Sequence, residues 1–126
     1  MHENRIGTHI VNSAFEVHTQ LGSGLLESAY QKCLLYELKK RELRVLSEVQ
    51  LPIKYKEAEI DCAYRLDLIV ENKVIVEIKS VESLLNIHTA QLITYLKLTN
   101  CKLGYLLNFN SVKIKYGIKR IVNNLD

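Results

Sequence analysis

Along the first twenty residues, apolar side chains return every three or four positions: Ile6, Ile10, Ala14, Val17 and Leu21, with Val11, Phe15 and His18 alongside. That spacing predicts a helix over residues 4–20 with one apolar face. Leu21-Gly22-Ser23-Gly24 breaks it: Gly22 suits the left-handed position just past a helix end, and Ser23 is placed to cap the next helix. That second helix is expected from about Leu25 to Lys40, turning Leu26, Tyr30, Cys33, Leu34 and Leu38 inward. From Arg44 the period changes to two, and Val45, Val49, Leu51, Ile53 and Tyr55 among polar neighbours read as strand. Pro52, the single proline, belongs at an edge or a bulge. Strands are expected again at about 59–70 and 74–80. Helical spacing returns from Leu84 to Thr99 through Leu85, Leu92 and Leu96. Gly104–Asn108 and Val112–Tyr116 read as two closing strands, before a tail from Gly117 to Asp126 that ends polar.

The predicted order is ααβββαββ. A helix with strands on both sides implies a crossover and at least one parallel pair, while consecutive strands imply antiparallel hairpins. The fold class is therefore α/β, a mixed central sheet flanked by helices. A length of 126 residues makes this one domain, 1–126, large enough for a real core. With 48% hydrophobic residues spread throughout, disordered and low-complexity classes are excluded. A net charge of +3 neither excludes nucleic acid nor argues for it.

Cys33, Cys62 and Cys101 make no C-x-x-C pair and read as small hydrophobes in a reducing compartment. The N-terminus has no apolar signal core, and no apolar run approaches the roughly 20 residues that span a bilayer. A soluble, cytoplasmic protein without membrane partners is expected.

The chemistry is concentrated in Tyr64-Arg65-Leu66-Asp67-Leu68-Ile69-Val70 and Val74-Ile75-Val76-Glu77-Ile78-Lys79. Alternation puts Ile75, Glu77 and Lys79 on one face of their strand, and Arg65, Asp67 and Ile69 together on theirs. If the hairpin closes with three loop residues centred on Asn72, Asp67 stands directly opposite Glu77, their Cβ atoms about 5 Å apart. A two-residue loop would send the carboxylates to opposite faces. Like charges so placed are destabilising and need compensation, which a divalent cation with oxygen ligands would supply and Lys79 would add to. The plain alternative is a solvated face with Lys79 paired to Glu77. His88, Gln91 and Tyr95 follow on one stripe of the third helix, opposite its Leu92 and Leu96 face. Upstream, Gly24-Leu25-Leu26-Glu27-Ser28-Ala29-Tyr30 opens the second helix with a glutamate, where the helix dipole also favours one.

Taken in order, these residues resemble the GxxExxY protein family, a branch of the PD-(D/E)XK nuclease superfamily. Gly24, Glu27 and Tyr30 are similar to its name-giving motif. Glu16-Val17-His18, Asn108-Phe109 and Gly117-Ile118-Lys119-Arg120-Ile121 resemble its other usual phrases, so the likeness runs from about residue 5 to 123. Leu66 and Ser23 stand where proline is common, and neither departure removes a ligand.

The resemblance implies a restriction-endonuclease-like core and a metal-dependent nuclease that hydrolyses phosphodiester bonds, DNA favoured over RNA. It casts Asp67 and Glu77 as metal ligands, Glu27 as the helix carboxylate and Lys79 as the catalytic lysine. Gln91 and Tyr95 then match the motif on the following helix. Mg²⁺ or Mn²⁺ would be held by Asp67, Glu77 and the Ile78 carbonyl, with Glu27 direct or through water. The rival reading is a nucleic-acid-binding or protein-interaction module that keeps the fold without turnover. A homodimer mate or partner protein would supply specificity to so small a core.

Overall fold

The computed structural model describes residues 1–62 and 64–126. Its elements are α1 (Glu3–Leu21), α2 (Glu27–Lys40), β1 (Val45–Gln50), β2 (Ile53–Tyr55), β3 (Ala58–Ile60), β4 (Arg65–Val70), β5 (Val74–Lys79), α3 (Asn86–Thr99), β6 (Leu103–Asn108) and β7 (Ile118–Val122), with a 3₁₀ turn at Ile114–Gly117. The central sheet has the order β1-β4-β5-β6-β7, and β2 and β3 form a separate antiparallel hairpin. The sheet strands with the three helices reproduce the expected ααβββαββ order. Only β5 and β6, the pair joined through α3, run parallel; the other three pairings are antiparallel.

Helices α1 and α2 cover one face of the sheet. Ile6, Ile10, Ala14 and Val17 of α1 and Tyr30, Leu34 and Leu38 of α2 pack on Val74, Val76, Ile78, Leu103, Tyr105 and Leu107. The other face is covered by α3, whose Leu92, Tyr95 and Leu96 meet Leu66, Ile75, Leu106 and Ile121. Val74, Val76 and Ile78 thus face one layer and Ile75 the other, as strand alternation requires. Strand β5 is buried on both sides because helices cover both faces. The cysteines are free; Cys101 is buried and Cys33 and Cys62 half-buried. Among the described residues no helix is long and apolar enough to cross a membrane.

Several expected boundaries move. The run from Arg44 to Tyr55 divides at Leu51-Pro52, because a proline cannot donate to the ladder, leaving β1 at the sheet edge and β2 in the hairpin. The expected 59–70 strand is likewise two, β3 and β4, with residue 63 outside the described residues. Helix α2 begins at Glu27 with Leu26 as its N-cap and no side-chain cap, so Ser23 does not cap it. Leu26, expected inward, is 79% exposed. Leu85 likewise caps α3 from outside and is exposed.

The largest shift is at the C-terminus. Val112–Tyr116 is not a strand: Ile114–Gly117 forms a 3₁₀ turn that buries Ile114 against the α1 layer. The last strand is Ile118–Val122, within the expected tail. Gly117 sits so close to the Asn108 carbonyl and Ser111 Oγ that a Cβ there would collide with both. That approach lets the chain turn back along β6.

Candidate functional site

The β4–β5 hairpin closes on Glu71-Asn72-Lys73, with Val70 opposite Val74, Ile69 opposite Ile75 and Leu68 opposite Val76. Glu71 and Asn72 both adopt positive φ, 54° each, within this three-residue loop. The register is the one that sets Asp67 opposite Glu77. At that pair side chains take over the ladder. The Asp67 amide donates to Glu77 Oε2 at 2.8 Å, and the Ile78 amide donates to Asp67 Oδ2 at 2.8 Å. The strands are held at the width of a carboxylate, with both acids locked between them.

Alternation slips here. Leu68 packs toward α1 and α2, yet Leu66, two residues earlier, packs toward α3. Strand β1 does the same: Val45 faces α2 and Val49 faces the α3 layer. Between Ser47 (paired with Leu68) and Val49 (paired with Leu66) lies Glu48, a non-glycine residue at φ 52°. A left-handed residue inside a strand is uncommon and costs about 1–2 kcal/mol. It is also what turns the Glu48 side chain into the cavity that Asp67 lines. Contrary to the expected grouping, Asp67 lines that cavity on the α2 side while Ile69 packs with the α3 layer.

The cavity, of 540 Å³, is walled by Leu25, Leu26, Glu27, Gln31, Glu48, Asp67 and Ser80, with Ser28. Its helical wall is set by Tyr30. The Tyr30 ring is fully buried and stacks on Phe109, centroids 4.6 Å apart and planes 8° off parallel. Its hydroxyl donates to the Gly22 carbonyl at 2.7 Å and accepts from the Leu25 amide at 3.0 Å. Gly22 (φ 70°) and Gly24 (φ 100°) supply the left-handed backbone that folds this loop over the tyrosine. The spacing of glycine, glutamate and tyrosine thus has a mechanical reading: the tyrosine fixes the loop, and Glu27 opens the helix from it.

Ser80 ties this wall to the sheet. Its hydroxyl donates to the Leu25 carbonyl at 2.7 Å, and its amide donates to Glu27 Oε1 at 3.3 Å. Buried Asn108 holds the chain just beyond: Oδ1 accepts from the Val81 and Asn110 amides, and Nδ2 donates to the Val81 carbonyl. Asn108 is the parallel-register neighbour of Lys79. The next amide, Phe109, donates to the Lys79 carbonyl at 3.0 Å. His18 Nε2 donates to the Ser111 carbonyl at 2.8 Å, closing the same loop against α1.

Burial, and next the Asp67 charge, pushes the Glu77 carboxyl up to about 8; the Asp67 amide and Lys79 oppose the rise. Burial also raises Asp67, against the Ile78 hydrogen bond and Lys79. Glu48 adds negative potential to both carboxyls, and Glu27 adds it to Asp67. The region carries more negative charge than its own cation balances. Tyr95, on α3, is buried, and burial followed by the Glu77 charge drives its phenol to about 12. Its position corrects the expected stripe, because it packs with Leu92 and Leu96 instead of lying opposite them. Gln91 is half-buried in a separate concavity beside Tyr64 and Tyr95 and does not line the Glu27–Asp67 cavity. His88 caps its own helix, its Nδ1 accepting from the Leu85 amide at 3.0 Å.

Glu27, Asp67, Glu77 and Lys79 therefore lie at one end of β4 and β5, with Glu27 and Asp67 lining the cavity on the α2 side and Glu77 and Lys79, by alternation with Ile75, on the α3 side, where Gln91 lines a different concavity. Two residues join them that the sequence pattern did not single out. Gln31, one turn beyond Glu27, donates to Glu48 Oε1 at 2.8 Å and to the Asp67 carbonyl at 3.3 Å. Gln31 at four residues from Glu27 was a legible signal; Glu48 was not, because its direction depends on a backbone angle. Among the described residues no three His, Cys, Asp or Glu side chains are drawn close enough together to hold one ion.

No curated protein and no solved structure matches the chain significantly. A family model described as the PD-(D/E)XK nuclease superfamily, PDDEXK_3, matches residues 4–121. That span covers the sheet and the three described helices to within one residue at either end, with every carboxylate of the cavity, and the chain belongs to the PD-(D/E)XK nuclease superfamily.

Proposed function

We propose that this chain is a metal-dependent nuclease of the GxxExxY branch, one domain hydrolysing phosphodiester bonds in nucleic acid, with DNA as substrate. The observation that carries the reading is the Asp67–Glu77 pair. Two carboxylates are locked between strands, with Glu77 buried and raised to about 8, beside the single lysine that offsets them. A fold stabilised for its own sake would not place like charges so. The donor set is hard oxygen and its charge is in excess, which fits Mg²⁺ or Mn²⁺ held by Asp67, Glu77 and the Ile78 carbonyl, with Glu27 beside them. Such an ion, when bound, supplies Lewis acidity toward a phosphate oxygen and an attacking water.

The chain's own groups have separable tasks. Asp67 and Glu77 would present their carboxylate oxygens to the ion. Lys79 places an ammonium against charge that grows on the phosphate. Glu27, anchored through Ser80 and the Tyr30 loop, sets the wall against which the phosphate is oriented. Exposed Lys113, Lys115, Lys119 and Arg120 supply backbone contacts that carry no sequence information. The free cysteines fit a reducing cytoplasm. A second copy or a partner protein supplies target choice.

Purified protein incubated with DNA and Mg²⁺ or Mn²⁺ should cleave it, and Lys79→Ala and Asp67→Ala should each abolish cleavage. Activity surviving both substitutions overturns the reading. The second reading, a binding module without turnover, is favoured by one observation: Glu27 is spent on the Ser80 amide, and three ligands are not drawn together. It predicts salt-dependent binding that Lys79→Ala leaves unchanged.

A further inference from the structure

On the α3 side of the sheet lies a second concavity, of 460 Å³, lined chiefly by Ile53, Tyr64, Ile87, Gln91, Tyr95 and Leu98. Its chemistry is the reverse of the Glu27–Asp67 cavity, since none of its lining residues is a carboxylate. The half-exposed Tyr64 ring and buried Tyr95 meet in an edge-type contact, centroids 6.4 Å apart and planes at 66°, with Tyr64 still reaching solvent. Ile87 and Leu98 stand 67% and 41% exposed on the rim, a cost with no structural return in the chain itself. The Thr94 hydroxyl is committed to the Ala90 carbonyl at 3.0 Å, so the Gln91 amide and the Tyr64 and Tyr95 hydroxyls are the other polar side-chain groups of the lining.

We propose that this groove binds an unpaired base of a DNA strand whose neighbouring phosphate lies at Asp67, Glu77 and Lys79. A flat aromatic face, apolar walls and one amide with a donor and an acceptor suit a nucleobase, which stacks on its faces and hydrogen-bonds along its edge. Continuity with the Glu77 end comes through β5: Ile75 packs in one cluster with Tyr95, which lines the groove, and alternation puts Glu77 and Lys79 on the same face as Ile75. A base paired in a duplex cannot enter, so the substrate is a single strand or a frayed end. The proposal rests on the nuclease reading only for where the phosphate sits.

The test is fluorescence anisotropy in EDTA, where no turnover occurs, with one short labelled sequence as single-stranded DNA, as duplex and as RNA. Single-stranded DNA should bind most tightly. Tyr64→Ala should weaken that binding about tenfold and duplex binding little, the range of one lost base–aromatic stack. Gln91→Ala should weaken it in the same direction. Tyr64 is half-exposed, so its removal spares the core, and circular dichroism checks this. Lys79→Ala should leave the Tyr64 effect intact, so absent cleavage with this pattern preserved overturns the nuclease reading and supports the groove. Duplex or RNA binding as tightly as the DNA strand overturns the proposal, as does single-strand affinity unchanged in both variants.

Discussion

The amide of Asp67 donates to the carboxylate of Glu77, and the amide after Glu77 donates back to the carboxylate of Asp67. Each acid thus has one good hydrogen bond and one bad neighbour, the other acid. Burial decides between them, and the Glu77 carboxyl rises from its usual 4.5 to about 8.

That direction sets a stability profile. Between about pH 4.5 and pH 8 the folded chain keeps a proton that the unfolded chain has released, so stability is full below that window and falls as pH rises through it. Asp67, also raised, has the same sign. Melting curves in EDTA should show Tm falling from pH 5 to pH 8, and Glu77→Gln should flatten the slope. Mn²⁺ should raise Tm more at pH 8 than at pH 5, because a bound cation replaces the proton.

Glu48 adds to the same field from a strained backbone at φ 52°. Glu48→Gly should therefore stabilise the fold, by about 1 kcal/mol, since glycine adopts that angle without the Cβ clash. Urea denaturation at pH 8 measures the gain. The pH dependence of Tm should become shallower as well, because one negative charge near Asp67 and Glu77 is gone.

How much of the fold and site is legible in the sequence depends on which forces act locally. The β4–β5 hairpin was legible, because two strongly apolar strands flank a short polar turn, but its register stayed a choice between a two- and a three-residue loop until the structure showed the three-residue one. The helices α1 and α2 were legible for the same reason. The face of Tyr95 was not: α3 also carries exposed Ile87, Ile93 and Leu98, so apolar residues lie all round it and no single stripe stands out. Leu26 read as core by spacing, but α2 starts one residue later, and position 26 faces the cavity mouth. Strand β7 was hidden because Val112–Tyr116 alternates like a strand, and only the fit of Gly117 against Asn108 shows that a turn must stand there.

That fit makes Gly117→Ala a severe change for one methyl group. The added Cβ meets backbone at the Asn108 carbonyl, which cannot rotate away. A loss of about 1–3 kcal/mol is expected from overpacking, together with weaker cleavage, since Asn108 also holds Val81. Thermal denaturation and a cleavage assay read the two effects separately.

Tyr30→Phe probes the opposite end of the cavity. The ring stays stacked on Phe109, but the Gly22 carbonyl and the Leu25 amide lose their shared partner. Stability should fall by about 1–2 kcal/mol in urea. Cleavage should fall further than the folded fraction does, because Glu27 opens from the loosened loop. Equal losses in both would reduce Tyr30 to a core residue.

The two bonds that Ser80 makes to Leu25 and Glu27 join residues more than fifty positions apart in the chain. The hairpin of β4 and β5 closes early, through contacts only a few residues apart. Glu27 reaches its place only when α2 docks on the sheet, so these long-range bonds are expected to open before the β4–β5 hairpin does. Amide hydrogen exchange would see this as fast exchange at Leu25 and Ser80 against a slowly exchanging β5. A partner that grips the 22–27 loop would then displace Glu27 while the rest of the fold stays closed.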